Sequence, residues 1–122
     1  MDANDLSVVL LLEWGAFRAL LTGDAPQAVE NALARTGLLE DIDVLKVGHH
    51  GSRTSTGSAL LRATLPEVAL ISAGRDNGFG HPHAEVLDRL AAHGVRVLRT
   101  DRDGTIVVRV DRDGRYRVGG RD

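Results

Sequence analysis

A chain of 122 residues with 43% hydrophobic content has room for one domain with its own core, over residues 1–122, and not for two. Its 15 Lys and Arg stand against 17 Asp and Glu, a formal net charge of -2, so bulk charge gives no reason for tight non-specific nucleic-acid binding, and 3% aromatic content argues against rows of base-stacking side chains. With no cysteine, disulfides, thiolate nucleophiles and Cys-type zinc sites are excluded, and His and Asp remain as metal ligands. The apolar run Val8 to Leu12 is too short to span a bilayer and no signal-peptide pattern precedes it. A soluble domain is expected, in a compartment that the sequence leaves unknown.

In chain order, Ser7 to Glu13 and Phe17 to Leu21 read as two strands of a hairpin turning at Trp14-Gly15-Ala16. Asp24 follows, then Pro26 and a helical pattern with Ala28, Val29, Ala32 and Leu33 on its apolar face, ending at Gly37. Val44 to Val47 is a short strand leading into the loop Gly48 to Thr56, and Ser58 to Thr64 forms a helix that Pro66 stops. The unit repeats: strand Val68 to Ser72, loop Gly74 to His83, helix Ala84 to His93 with Val86, Leu87, Leu90 and Ala91 apolar and Gly94 as its end. Three further strands, Val95 to Arg99, Thr105 to Val110 and Arg115 to Val118, are expected to form two closing hairpins through the turns Asp101-Arg-Asp-Gly104 and Asp111-Arg-Asp-Gly114. Each of those turns lacks the further ligands of a calcium loop. The last four residues, Gly119 to Asp122, are expected to fray.

The fold class is therefore α/β, and in such layered domains the loops after parallel strands gather along one edge, where ligands bind. Three such loops carry chemistry here. Asp24 reads either as a helix cap or as a carboxylate bridging two cations. His49 and His50, adjacent imidazoles between two glycines, read as metal ligands or acid–base groups or as a solvated loop. Ser52, Arg53, Thr54 and Ser55 supply hydroxyls and a guanidinium suited to phosphate oxygens. His81 and His83 flank Pro82, and one of them could simply cap the next helix; three successive strand ends bearing Asp, His-His and His-Pro-His make a site the stronger reading. His93, at a helix C-terminus, reads as structural.

The succession Leu20-Leu-Thr-Gly-Asp24, Val44-Leu-Lys-Val-Gly-His-His-Gly-Ser52 with Thr54-Ser55, and Gly80-His-Pro-His83 resembles the C-terminal half of the metallo-β-lactamase-like domain of ComEC-type DNA-uptake competence proteins, from about Asp5 to about Val110. The resemblance implies half of an αββα sandwich, a mixed sheet with helices on one face. It implies a site for two divalent metal ions, zinc or manganese, with Asp24 as bridging carboxylate and one imidazole of the His49–His50 pair as ligand, assigned here to His50. His49 is then assigned as the phosphate-contacting or proton-transferring partner, and the resemblance places His81 or His83 against the substrate or leaving group. The implied activity is metal-dependent phosphodiester hydrolysis with DNA as substrate, in a domain that the family attaches to an inner-membrane channel protein.

The superfamily's His-x-His-x-Asp-His motif, which supplies most of the metal ligands, occurs nowhere in this sequence. Two ligands fall short of a complete shell, so the chain is expected to hold a partial site, to be inactive alone, to pair with an N-terminal half supplying the other ligands, and to self-associate through the uncovered sheet. A non-catalytic binding or structural domain is the alternative class. Within the hydrolases, another phosphodiester or a thioester is the alternative substrate.

Overall fold

The computed structural model describes residues 6–120. Strand β1 (Leu10–Trp14) turns at Gly15 and Ala16 into β2 (Phe17–Leu21), in antiparallel register from Leu10 opposite Leu21 to Trp14 opposite Phe17. Gly15 has φ +57, a left-handed conformation that a side chain disfavours and a tight hairpin turn requires. Helix α1 (Gln27–Arg35), β3 (Val44–Lys46), α2 (Ser58–Thr64), β4 (Val68–Ile71), α3 (Ala84–Ala92) and β5 (Arg96–Arg99) follow. The strands lie in the order β1-β2-β3-β4-β5, and every pair from β2 to β5 is parallel. The chain is thus α/β with a mixed sheet.

Side chains alternate across this sheet with the two-residue strand period. Leu20, Leu45, Ala69 and Ile71 share a buried cluster with Leu60 and Leu61 of α2 and Val86 and Leu90 of α3. Helices α2 and α3 therefore lie on the same face of the sheet. Phe17, Val44 and Val68 face the opposite way and pack with Leu70, Leu98 and residues from a second, two-stranded sheet: Val108 and Val110 of β6 (Ile106–Val110), and Tyr116 and Val118 of β7 (Tyr116–Gly120). The turns of the two hairpins interlock. A Cβ on Gly114 would lie 2.5 Å from the Ala16 nitrogen, and the Trp14 indole N–H donates to the Asp111 carbonyl at 3.0 Å.

Several expectations are corrected. Val95 to Arg99 is no hairpin strand; it runs parallel to β4 inside the main sheet. Asp101 to Gly104 is accordingly not a β-turn: Thr100–Asp103 form one helical turn, α4, that carries the chain from one sheet to the other. Gly119 and Gly120 are paired with Val107 and Ile106; the fraying expected for residues 121 and 122 lies outside the described residues. In α1 the fully buried residue is Glu30, whereas Ala28 and Ala32 are exposed and Val29 and Leu33 only half-buried. The first strand begins at Leu10 instead of Ser7.

Candidate functional site

Because β2, β3 and β4 are parallel, the segments leaving them meet at one edge. Asp24 lies two residues past Thr22 at the end of β2, half-buried, and its backbone N–H donates to the Ser7 hydroxyl at 3.2 Å. It caps no helix: the cap position of α1 belongs to Pro26. The next loop is tied directly to it, since the His49 N–H donates to the Gly23 carbonyl at 2.8 Å. Behind them, burial pushes the Lys46 ammonium below its ordinary pKa, with the Asp24 carboxylate partly opposing that shift.

The loop after β3 is strained where its imidazoles stand. His49 (φ 50, ψ 42) and His50 (φ 55, ψ 27) are both left-handed, a conformation costing about 1–2 kcal/mol per non-glycine residue and characteristic of functional sites. Their glycine neighbours are required by packing. A Cβ on Gly48 would lie 2.8 Å from the Thr22 hydroxyl, and one on Gly51 would lie 2.5 Å from the Pro82 Cβ. The Thr22 hydroxyl is itself buried without a hydrogen-bond partner among the described residues.

The loop is held from below by Glu30. Its carboxylate, with no exposed surface, accepts the N–H groups of Thr56 and Gly57 at 2.6 and 2.8 Å. Arg89 of α3 donates to the Thr56 carbonyl at 2.9 Å. Burial raises the Glu30 pKa, against the two backbone donors and the Arg89 charge.

Each imidazole has its own bonding pattern. His50 Nδ1 lies 2.7 Å from the Ser72 carbonyl, an acceptor only, so Nδ1 carries the proton and Nε2 is left with its lone pair. His49 Nδ1 is 3.5 Å from the Thr54 hydroxyl. His83 is spent on both sides: Nδ1 accepts the Arg53 N–H at 2.9 Å, and Nε2 donates to the Phe79 carbonyl at 3.2 Å. His81 is the hub, with ring centroids 5.7 Å from His49, 6.4 Å from His50 and 4.8 Å from His83. Burial, then the charges of His83, His49 and His50, hold its pKa below the ordinary value.

The hydroxyl-rich segment divides. Ser55 is fully buried and donates to the Ala25 carbonyl at 2.7 Å, and Ser52 is buried with its Oγ 2.9 Å from that of Thr54. Arg53 and Thr54 are exposed. Asp24, His49, His50, Arg53, Thr54, His81 and His83 thus lie on connected loops at one edge, while Ser52 and Ser55 build the loop from within. Among the described residues no three His, Asp or Glu side chains gather closely enough to hold a metal ion. Sequence reasoning missed Glu30, which carried no signal beyond being a carboxylate in a helix, and Phe79. Phe79 did carry one: a large apolar side chain stands between Gly78 and Gly80 in an otherwise polar loop.

No family model matches the chain. It is 46% identical over 103 residues to ComE operon protein 3 of Bacillus subtilis and, over the same length and at the same identity, to Recombination protein 2 of Haemophilus influenzae. Its homologues indicate a competence-protein family. Competence protein ComA of Neisseria gonorrhoeae is 39% identical over 107 residues. These matches take in 84%, 84% and 87% of this chain. The chain spans 13% of the length of each of the first two relatives and 16% of the third.

Proposed function

We propose that this chain is the C-terminal half of a metallo-β-lactamase-like hydrolase that cleaves phosphodiesters of DNA during uptake, with a metal site shared between this half and one bearing the His-x-His-x-Asp-His ligands. The observation that carries the reading is the His50 ring. A backbone carbonyl fixes its tautomer so that Nε2 presents a lone pair, the arrangement that orients metal-binding imidazoles, at the edge where the Asp24 loop is bonded to the His loop. The competence proteins among its homologues supply the DNA-uptake context.

The donors present fit part of such a site. Asp24 offers carboxylate oxygen and His50 imidazole nitrogen, ligands suited to zinc or manganese, but a carboxylate and one imidazole fall below the four donors of a stable zinc shell. When bound, such ions lower the pKa of water and offset charge on phosphoryl oxygens. In this reading Asp24 and His50 are the ligands, the neighbouring Arg53 and Thr54 bind the phosphate, and His49 and His81 contact the substrate or move a proton. His83 acts as a positioning residue, because both ring nitrogens already tie the Arg53 segment to the Phe79 segment.

The sheet supports the half-sandwich. Beside β6, an apolar recess of about 350 Å³ lined by Leu12, Phe17, Ala19, Leu21, Lys46 and Val110 continues the face that the short second sheet covers, the place for strands of a preceding half. The incomplete donor set equally motivates a second reading, a binding domain without catalysis. Metal content and DNA cleavage distinguish them when measured on this chain alone and joined to an upstream segment carrying His-x-His-x-Asp-His. The hydrolase reading expects retained metal and cleavage only in the joined protein, and loss of both in its His50→Ala variant. A joined protein that binds metal no better than the chain alone sinks it.

A further inference from the structure

We propose that Phe79 is a stacking platform for one base of a single nucleic-acid strand, set at the rim of the histidine cluster; this rests on the nucleic-acid reading above. Phe79 is 80% exposed, on a protein whose other phenylalanine is buried. Its ring is nevertheless not loose on the surface. It stacks on His81 at 5.8 Å between centroids and 24° between planes, and its backbone carbonyl is bonded to the His83 ring. Asn77 braces the loop from inside, donating to the Gly74 and His81 carbonyls at 2.8 and 2.7 Å and accepting the His81 N–H at 2.8 Å. The result is a recess of about 220 Å³ lined by His50, Ala73, Gly74, Asn77, Phe79 and His81.

Three features match this recess to a base. A planar aromatic face beside a recess suits a planar aromatic ring, and stacking is open to every base. Two exposed arginines lie close to the cluster in the chain, Arg75 on the same loop, with exposed Asp76 beside it, and Arg53, whose N–H is bonded to the His83 ring; a guanidinium suits a phosphodiester oxygen. The recess also adjoins the proposed substrate contacts through His81, whose centroid is 5.7 Å from that of His49, and each nucleotide carries its base one sugar away from its phosphate. Some of the polar groups near Phe79 are already engaged: the Asn77 amide in the loop, His50 Nδ1 on Ser72, both nitrogens of His83. His50 Nε2 and the His81 ring nitrogens stay open toward the recess, so a base edge has imidazole partners there while the stacking itself is open to every base. The low aromatic content of the chain argues against a row of platforms; it does not bear on a single one.

The test is an amide NMR titration of the chain with a short oligothymidylate and with the same strand lacking bases. The wild type should bind the base-bearing strand the more tightly. Phe79→Ala and Phe79→Leu should each lower that affinity about tenfold, the scale of one stacked base, and leave the abasic strand unchanged, while Phe79→Tyr retains wild-type affinity. Because Phe79 is exposed, the variants should keep the wild-type amide spectrum. Equal binding of both strands, or wild-type affinity in Phe79→Leu, overturns the platform and leaves the nucleic-acid reading standing. No shift with either strand, in this chain and in the protein joined to its upstream half, overturns both.

Discussion

Two adjacent histidines in left-handed conformation set stability against function in a way a single substitution can read. Replacing His49 by either glycine or alanine removes the same imidazole, but only glycine accepts φ +50 without a Cβ penalty. His49→Gly is expected to be more stable than His49→Ala by about 1 kcal/mol, seen as a higher urea midpoint at unchanged slope. Equal midpoints would show that the loop relaxes out of the strained conformation once the ring is gone, and would remove strain as an argument for function. The histidines also show how residue identity and residue role part company. Four imidazoles lie at this edge, yet His50 is set up to present a nitrogen outward whereas His83 is consumed as a clamp. Spacing alone, two adjacent residues and then two flanking a proline, carries no information about which ring nitrogen meets a carbonyl.

Among the elements, the β6–β7 hairpin shows how a short sheet is fastened to a longer one. Tyr116 packs on Phe17 at 5.4 Å between centroids, and its hydroxyl donates to the Glu67 carboxylate at 3.0 Å, across 49 residues of sequence. Burial first, then the hydrogen bond to Glu67 and the charges of Glu67 and Asp43, raise the phenol from 10.0 to about 12. A folded pKa above the unfolded one means that the native state holds its proton longer. The contribution of Tyr116 is thus full below pH 10.0 and lost as the pH rises through about 12. Denaturation at a series of alkaline pH values should show a stability loss in that window that is smaller in Tyr116→Phe, and absorbance titration should place the phenolate transition above that of free tyrosine. A transition at the ordinary value would show that the hairpin stands off the sheet.

At the scale of the whole molecule, β1 is an edge strand with every residue exposed. Leu10 and Leu12 are 57% and 51% exposed and adjoin Trp14 and Leu21, also exposed. Such an edge, apolar and with no strand paired to its outer side among the described residues, is a template for further pairing. We expect the chain to self-associate in solution, with light scattering giving a mass that rises with concentration, and Leu10→Lys together with Leu12→Lys to return it to the monomer. A constant monomer mass for the unsubstituted chain would count against the half-sandwich. None of the helices among the described residues is long and apolar enough to cross a membrane.

Elements with a local signal were legible in the sequence: the β1–β2 hairpin through Gly15, α2 stopped before Pro66, α3 ended at His93 and Gly94, and the order strand, Asp, helix, strand, His-His, helix, strand, His-Pro-His. Those signals are periodicity, backbone restriction and residue chemistry, all carried within a few neighbours. The two Asp-Arg-Asp-Gly segments mark the limit. One is a hairpin turn in which Asp111 accepts the N–H groups of Asp113 and Arg115. The other is a helical turn held by Arg99 on Asp101 and Asp103. The same four residues permit both conformations; whether the preceding strand pairs with β4 or with the strand that follows decides between them. Glu30 is the same lesson at the site. Its helix has apolar residues on offer, but the N–H groups of Thr56 and Gly57 need acceptors in the interior, and an unpaired buried N–H costs about 1–3 kcal/mol, so the carboxylate turns inward and the alanines face water.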